Sequence, residues 1–208
     1  MDTLERAMTA EESQDSEANT RKTPSTVFKN GEFQPGSPVI YALHGKCSVI
    51  SIESRTFGDK TVRCYKLQVS KPALSRSTRQ EPAIWLPVDA ALARGLRAPL
   101  THVESDAVLA ALANREYYFN ASEDWKVVQP KLEACIQHEG ALGLAKVISY
   151  LFVSKNRYAV APSEISKFFE SSLKLLVREL AEALGGEKMR PLEERIIKSM
   201  RHKLLPDS

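Results

Sequence analysis

The spacing of apolar residues changes near residue 100, and this change limits the folds open to the chain. From Phe33 onward, apolar and polar residues alternate in four short runs, 39–43, 49–52, 62–69 and 84–86. Such alternation is typical of half-buried β-strands. After Gly95 the apolar residues recur at three and four positions, which is the spacing of an amphipathic helix. The sequence therefore predicts an α+β protein with a domain boundary between Arg97 and Val103.

The four β runs are separated by turn signals that include Gly36, Gly45 and Gly58. Several short strands joined by tight turns predict a small, strongly bent sheet or barrel. The stretch 70–82 is rich in Ser, Arg and Pro, and we expect it to form a long basic β-hairpin loop. The predicted β domain covers residues 31–98.

Five helical segments are expected in the second half, and short links between them predict a compact helical bundle over residues 99–208. They are 103–112 with a cap at Thr101 or Ser105, a second from Trp125 or Pro130 to Ile136, 142–152, a fourth from Pro162 to a stop at Gly185-Gly186, and 192–204 with Leu204 on its apolar side.

Charge is distributed unevenly, although the net charge is only +3. Residues 1–20 carry six acidic side chains against one arginine, and residues 1–30 are predicted to be a disordered acidic tail. The span 54–80 carries seven lysines and arginines against Asp59. A basic span of this kind favours polyanions or acidic protein surfaces as partners, or else it is a solvated face.

The three cysteines, Cys47, Cys64 and Cys135, have no disulfide-framework spacing, which favours reduced thiols in the cytoplasm. The sequence begins without the apolar stretch of a signal peptide and contains no apolar run of membrane-spanning length. We therefore expect a cytoplasmic protein with no membrane partner.

Motifs of catalysis are missing: there is no Gly-rich phosphate loop, His-Glu-x-x-His or Gly-x-Ser-x-Gly. His44 and Cys47, like Cys135 and His138, are three residues apart, but a structural zinc site needs four paired ligands. The sequence thus predicts a binding protein with no catalytic residue, metal, cofactor or small-molecule substrate, and the alternative is an enzyme of unrecognised type.

An ordered set of segments resembles a known family. In the β half they are Phe33-Gln34-Pro35-Gly36, Val39-Ile40-Tyr41-Ala42-Leu43-His44-Gly45, Val49-Ile50-Ser51-Ile52-Glu53-Ser54-Arg55, Leu86-Pro87 and Gly95-Leu96-Arg97; in the helical half they are Asp124-Trp125 and Leu176-Val177-Arg178-Glu179-Leu180-Ala181. Over residues 30 to 185 the chain resembles the CarD/CdnL family of bacterial transcription regulators, whose N-terminal domain is shared with the transcription–repair coupling factor.

The resemblance implies a Tudor-like β domain that docks on the β subunit of bacterial RNA polymerase. It also implies a helical domain at the upstream edge of the promoter −10 region, where a tryptophan wedges into the minor groove and stabilises the open complex. An aromatic wedge can hold a distorted base step while nearby cations bind phosphates. Tethering to polymerase supplies the effective concentration, so free DNA affinity can be weak.

Site residues follow from the same resemblance. Arg55 matches a polymerase-contacting position, and Trp85, two residues before Pro87, is either an interface anchor or a core residue. Trp125 matches the wedge position, although an isolated tryptophan in a helical bundle is usually core.

The helical half departs from the family next to Trp125. Val127 and Val128 stand where promoter-binding members carry arginines, and Pro130 is expected to kink or delay the helix. Lys126 and Lys131 are expected to replace part of the lost charge in DNA binding. An alternative function is a protein adaptor in which Val127 and Val128 join an apolar surface for another partner.

Overall fold

The structure, a computed structural model, describes residues 28–29, 31–70, 83–114, 119, 124–157 and 161–204. Strands come first and helices follow, so the predicted α+β class is confirmed. The strands are β1 Phe28–Lys29, β2 Glu32–Phe33, β3 Pro38–Tyr41, β4 Gly45–Phe57, β5 Lys60–Val69, β6 Ile84–Pro87 and β7 Leu96–Arg97; the helices are α1 His102–Ala113, α2 Trp125–Asn156, α3 Ser163–Ala183 and α4 Met189–Met200.

Strands β3 to β7 form one five-stranded antiparallel sheet in the order β6-β5-β4-β3-β7. The alternating apolar residues of these strands meet on one face, where Val39, Val49, Leu67 and Leu86 are buried in a common core. The pairing of β4 with β5 shifts register between Val49 and Ser51, and such a bulge bends a strand and increases its twist.

The ends of two expected segments can be placed. Phe28 and Lys29, from the expected tail, form β1 and pair with β2, whereas the rest of residues 1–30, apart from these two, lies outside the described residues. Strands β5 and β6 are antiparallel neighbours, so the stretch 70–82 connects the two arms of a hairpin. Residues 71–82 themselves lie outside the described residues.

Within the described residues the structure has four helices, and the second and third expected segments both lie in α2, as two helical stretches that meet at a kink. Gly140 interrupts α2 with φ 60° and ψ −127°, a conformation that a glycine adopts without a Cβ clash. Asp124 caps α2, its carboxylate accepting the Lys126 amide hydrogen at 2.8 Å. The helix therefore begins at Trp125 and continues through Pro130 without delay.

Helices α1 and α3 begin or end at the capping and stop residues that the sequence predicts. Thr101 and Glu104 form a reciprocal capping box at the start of α1. Hydrogen bonds donated by the backbone amide and the hydroxyl of Thr101 hold the pKa of the Glu104 carboxyl below its ordinary value. Helix α3 ends before Gly185 and Gly186, which both have positive φ. Between α1 and α2, the residues 115–118 and 120–123 lie outside the described residues.

The helices share one apolar core, to which α4 contributes Leu192, Ile196 and Met200. After α4 a short 3-10 turn, Arg201–Leu204, folds back and places Lys203 against α2. Leu204, expected on the apolar side, is instead 41% exposed. A 3-10 turn has fewer residues per turn than an α-helix, so Leu204 no longer follows the α-helical spacing that placed it on the apolar side.

Candidate functional site

The first candidate surface lies on the face of the sheet that points away from its core. Strand pairing puts Ser51, Lys66 and Trp85 side by side across β4, β5 and β6, and Arg55 lies further along β4 on the same face. The Arg55 guanidinium carbon is 4.1 Å from the centre of the Trp85 ring. We call Arg55, Lys66 and Trp85 the Arg55–Trp85 surface.

Charge and exposure on this surface suit an acidic partner. Arg55 is exposed and Trp85 half-buried, and the Lys66 ammonium lies 5.4 Å from the indole centre. Lys66 is also 3.9 Å from Glu53, so part of its charge is already balanced. A cation held over an aromatic ring loses little freedom on binding, and the planar guanidinium can grip a carboxylate through two hydrogen bonds. The two predicted polymerase-contacting residues therefore lie together.

The second candidate surface is the start of α2. Trp125 is half-buried, and its ring meets the Phe168 ring of α3 edge-on, with 5.8 Å between centres. Lys126 and Lys131 are exposed, but residues five apart on a helix are about 140° apart around its axis. The two lysines therefore do not form a single stripe with Trp125.

The expectation that Val127 and Val128 join an apolar surface is wrong for Val128. Val127 is 53% exposed, whereas Val128 is 1% exposed and belongs to the helical core. Val128, Leu132 and Ile136 recur at four-residue spacing and face the same core, so the helix turns Val127 away from it. The start of α2 thus offers a partner one valine rather than two.

The possible metal ligands do not converge. His44 is exposed and stacks on Tyr41 with ring centres 5.0 Å apart, while Cys47 is fully buried. Burial, with a smaller effect of the Glu139 carboxylate, raises the pKa of Cys135 to about 11, so its thiol is protonated at neutral pH. In the part of the chain that the structure describes, no three metal-binding side chains of His, Cys, Asp or Glu cluster.

Sequence reasoning missed a buried ion pair between the sheet and the helices. Glu179 of α3 is 7% exposed and accepts two hydrogen bonds from Arg97 of β7, at 2.5 and 2.7 Å. The signal was present in the sequence, because Glu179 falls among Leu176 and Leu180 on the apolar stripe of α3. A carboxylate at such a position requires a partner.

Comparisons with known proteins add no relative: no protein-family model matches the chain, and no curated protein matches it. Among the described residues, none of the helices combines the length and apolar character needed to cross a bilayer.

Proposed function

We propose that this protein is a non-enzymatic transcription regulator that binds the β subunit of bacterial RNA polymerase through the Arg55–Trp85 surface and acts on promoter DNA through the start of α2. In this proposal the bent sheet is a Tudor-like domain and the four helices form a bundle domain. The protein acts in the cytoplasm, without a cofactor, and modulates formation or stability of the open promoter complex.

The observation that carries the proposal is the contact between Arg55 and Trp85. These residues are thirty positions apart in the sequence, on different strands, yet the guanidinium carbon lies 4.1 Å from the indole centre on an exposed sheet face. If Trp85 served only the core of the sheet, an exposed arginine over its ring would not be required. Tryptophan and arginine are, however, among the residue types most enriched at the energetic centres of protein–protein interfaces.

The DNA part rests on a weaker arrangement. Trp125 stands half-buried at the capped start of α2, and Lys126 is exposed next to it. An indole edge can enter a minor groove while the lysines bind backbone phosphates. Few cations are available, so affinity for free DNA should be low and strongly salt-dependent, and polymerase must supply the effective concentration.

The proposal is tested by polymerase binding of Arg55→Glu. Charge reversal places a carboxylate against an acidic partner, so we expect affinity for the isolated β-subunit lobe to fall about tenfold or more at physiological salt. Arg190→Glu is the matched control, because Arg190 is exposed on α4, outside the sheet, and pairs with Glu194 of the same helix. Equal binding of both variants, with unchanged circular dichroism, would remove Arg55 from the interface.

The second candidate function is a polymerase- or protein-binding adaptor without a DNA wedge. The edge-on packing of Trp125 against Phe168 favours it, because a ring held against α3 is less free to enter a groove. Footprinting of a polymerase–promoter complex with and without the protein separates the two functions. Protection at the upstream edge of the −10 region supports the regulator, and an unchanged footprint together with retained polymerase binding supports the adaptor.

A further inference from the structure

Three glycines allow the sheet and the helices to approach closely. A Cβ at Gly45 would lie 2.7 Å from Leu175 Cδ2 of α3, and one at Gly95 would lie 3.1 Å from the Gln137 Cα of α2. At Gly140 a Cβ would meet the Arg97 side chain at 2.8 Å. All three have positive φ, a backbone conformation that favours glycine, and at Gly95 the close contact is with backbone, which cannot move aside as a side chain can.

Polar contacts then define the orientation at this junction. The Glu179 carboxylate accepts two bonds from Arg97 and a third from the Leu100 backbone amide at 3.1 Å. A second, exposed pair joins Lys46 of β4 to Glu182 of α3. Arg178 donates to the Ser70 backbone oxygen at 3.2 Å, immediately after β5. Helix α3 is thus bonded to the edge strand β7, to β4 and to the residue that follows β5.

We propose that Glu179 is a positioning residue: by holding Arg97 and the Leu100 amide, it fixes the direction of the Arg55–Trp85 surface relative to Trp125. The functional consequence rests on the proposed polymerase and promoter contacts. When polymerase is bound to the sheet, Trp125 would then reach one defined position on the promoter DNA rather than a range of positions.

The geometry of Glu179 distinguishes it from its neighbours at the junction. Two parallel bonds from a planar guanidinium restrict both distance and angle, whereas a lysine pair restricts distance alone. The third bond comes from Leu100, which lies between β7 and the capped start of α1, so the same carboxylate also holds the linker that joins strands to helices. Loss of the Glu179 carboxylate therefore removes three hydrogen bonds of the junction together.

The first measurement is a distance distribution in the free, full-length protein. Spin labels are attached at Lys60→Cys, in β5, and Lys167→Cys, in α3, in a Cys135→Ser background; both sites are exposed, and Cys47 and Cys64 are buried. We expect one narrow distribution for the parent protein and a broad one for Glu179→Gln. Glu182→Gln is the matched control, because it makes the same chemical change in the same helix at the exposed Lys46 pair, and it should leave the distribution narrow.

The second measurement separates positioning from binding. Glu179→Gln should bind polymerase as the parent does, since the Arg55–Trp85 surface is unchanged, but shorten the open-complex lifetime roughly tenfold, because a misplaced contact loses its alignment. Arg97→Gln should do the same, and the double variant should be no worse than either single one, as expected for two residues that act as a pair. If Glu179→Gln fails to fold, Arg97→Lys keeps the charge and removes the two-bond fork.

The outcomes are distinct. A narrow distribution in Glu179→Gln, or a broad one with an unchanged open-complex lifetime, overturns the positioning role. Parallel loss of polymerase binding, lifetime and melting temperature assigns Glu179 to fold stability alone and also overturns it. If the parent protein does not bind polymerase, the proposed function fails, and the distance distributions still decide whether Glu179 fixes the junction.

Discussion

Replacement of Lys203 by methionine should stabilise the protein at neutral pH. Lys203 lies in the 3-10 turn after α4, is 4% exposed and donates a hydrogen bond from its ammonium to Ser149 Oγ of α2 at 2.9 Å. Burial lowers the pKa of Lys203 from 10.5 to about 8, which means that the fold disfavours the charged form. Methionine has a similar length and no charge, so it can fill the same space.

The magnitude follows from the pKa difference. A pKa lowered from 10.5 to about 8 corresponds to about 3 kcal/mol of destabilisation while Lys203 is charged in both states. Loss of the hydrogen bond to Ser149 costs about 1 kcal/mol. The net gain for Lys203→Met is then about 2 kcal/mol, or about 4–8 °C in melting temperature for a chain of this size.

The sign of the pH dependence provides a stricter test. Between the folded pKa near 8 and the unfolded value of 10.5, the Lys203 side chain binds more protons in the unfolded chain than in the folded one, so the destabilisation by Lys203 decreases as pH rises through this window. The advantage of Lys203→Met measured by urea unfolding should therefore be full at about pH 7 and disappear by about pH 10. The control is Lys198→Met, whose lysine is exposed on α4. A difference that stays constant with pH, or a variant less stable than the parent at neutral pH, would refute the reasoning.

Two further predictions concern the junction and the start of α2. Gly45→Ala should lower the free energy of unfolding, measured by urea titration, by about 1–3 kcal/mol, because φ is +72° and the new Cβ meets Leu175. The control is Gly36→Ala, where φ is also positive but the space is open, so that it measures the backbone cost alone. Trp125→Ala should cost about 2 kcal/mol, since its ring is half-buried, and under the proposed function it should also shorten open-complex lifetime with polymerase binding unchanged. A stability loss with normal promoter opening would contradict the wedge assignment and favour the adaptor.

Local order along the chain was readable from the sequence. The period of the apolar residues distinguished strands from helices, and the change between Arg97 and His102 falls where it was expected. Thr101 caps α1, and Gly185 follows the end of α3, because caps and stops act through hydrogen bonds and dihedral angles within a few residues. The division into two domains and the polymerase and promoter contacts stay predictions.

Contacts between distant residues were decided by the tertiary structure. Strand register across three strands brings Arg55 to Trp85, and periodicity within one strand carries no information about that register. The packing of α2 separates Val127 from Val128, although the two residues are chemically identical. Arg97 and Glu179 are 82 residues apart, and their pair exists because glycines let the sheet approach the helices. A sequence specifies which side chains need a partner, but only the folded chain selects the partner, since packing and charge pairing depend on distance in space.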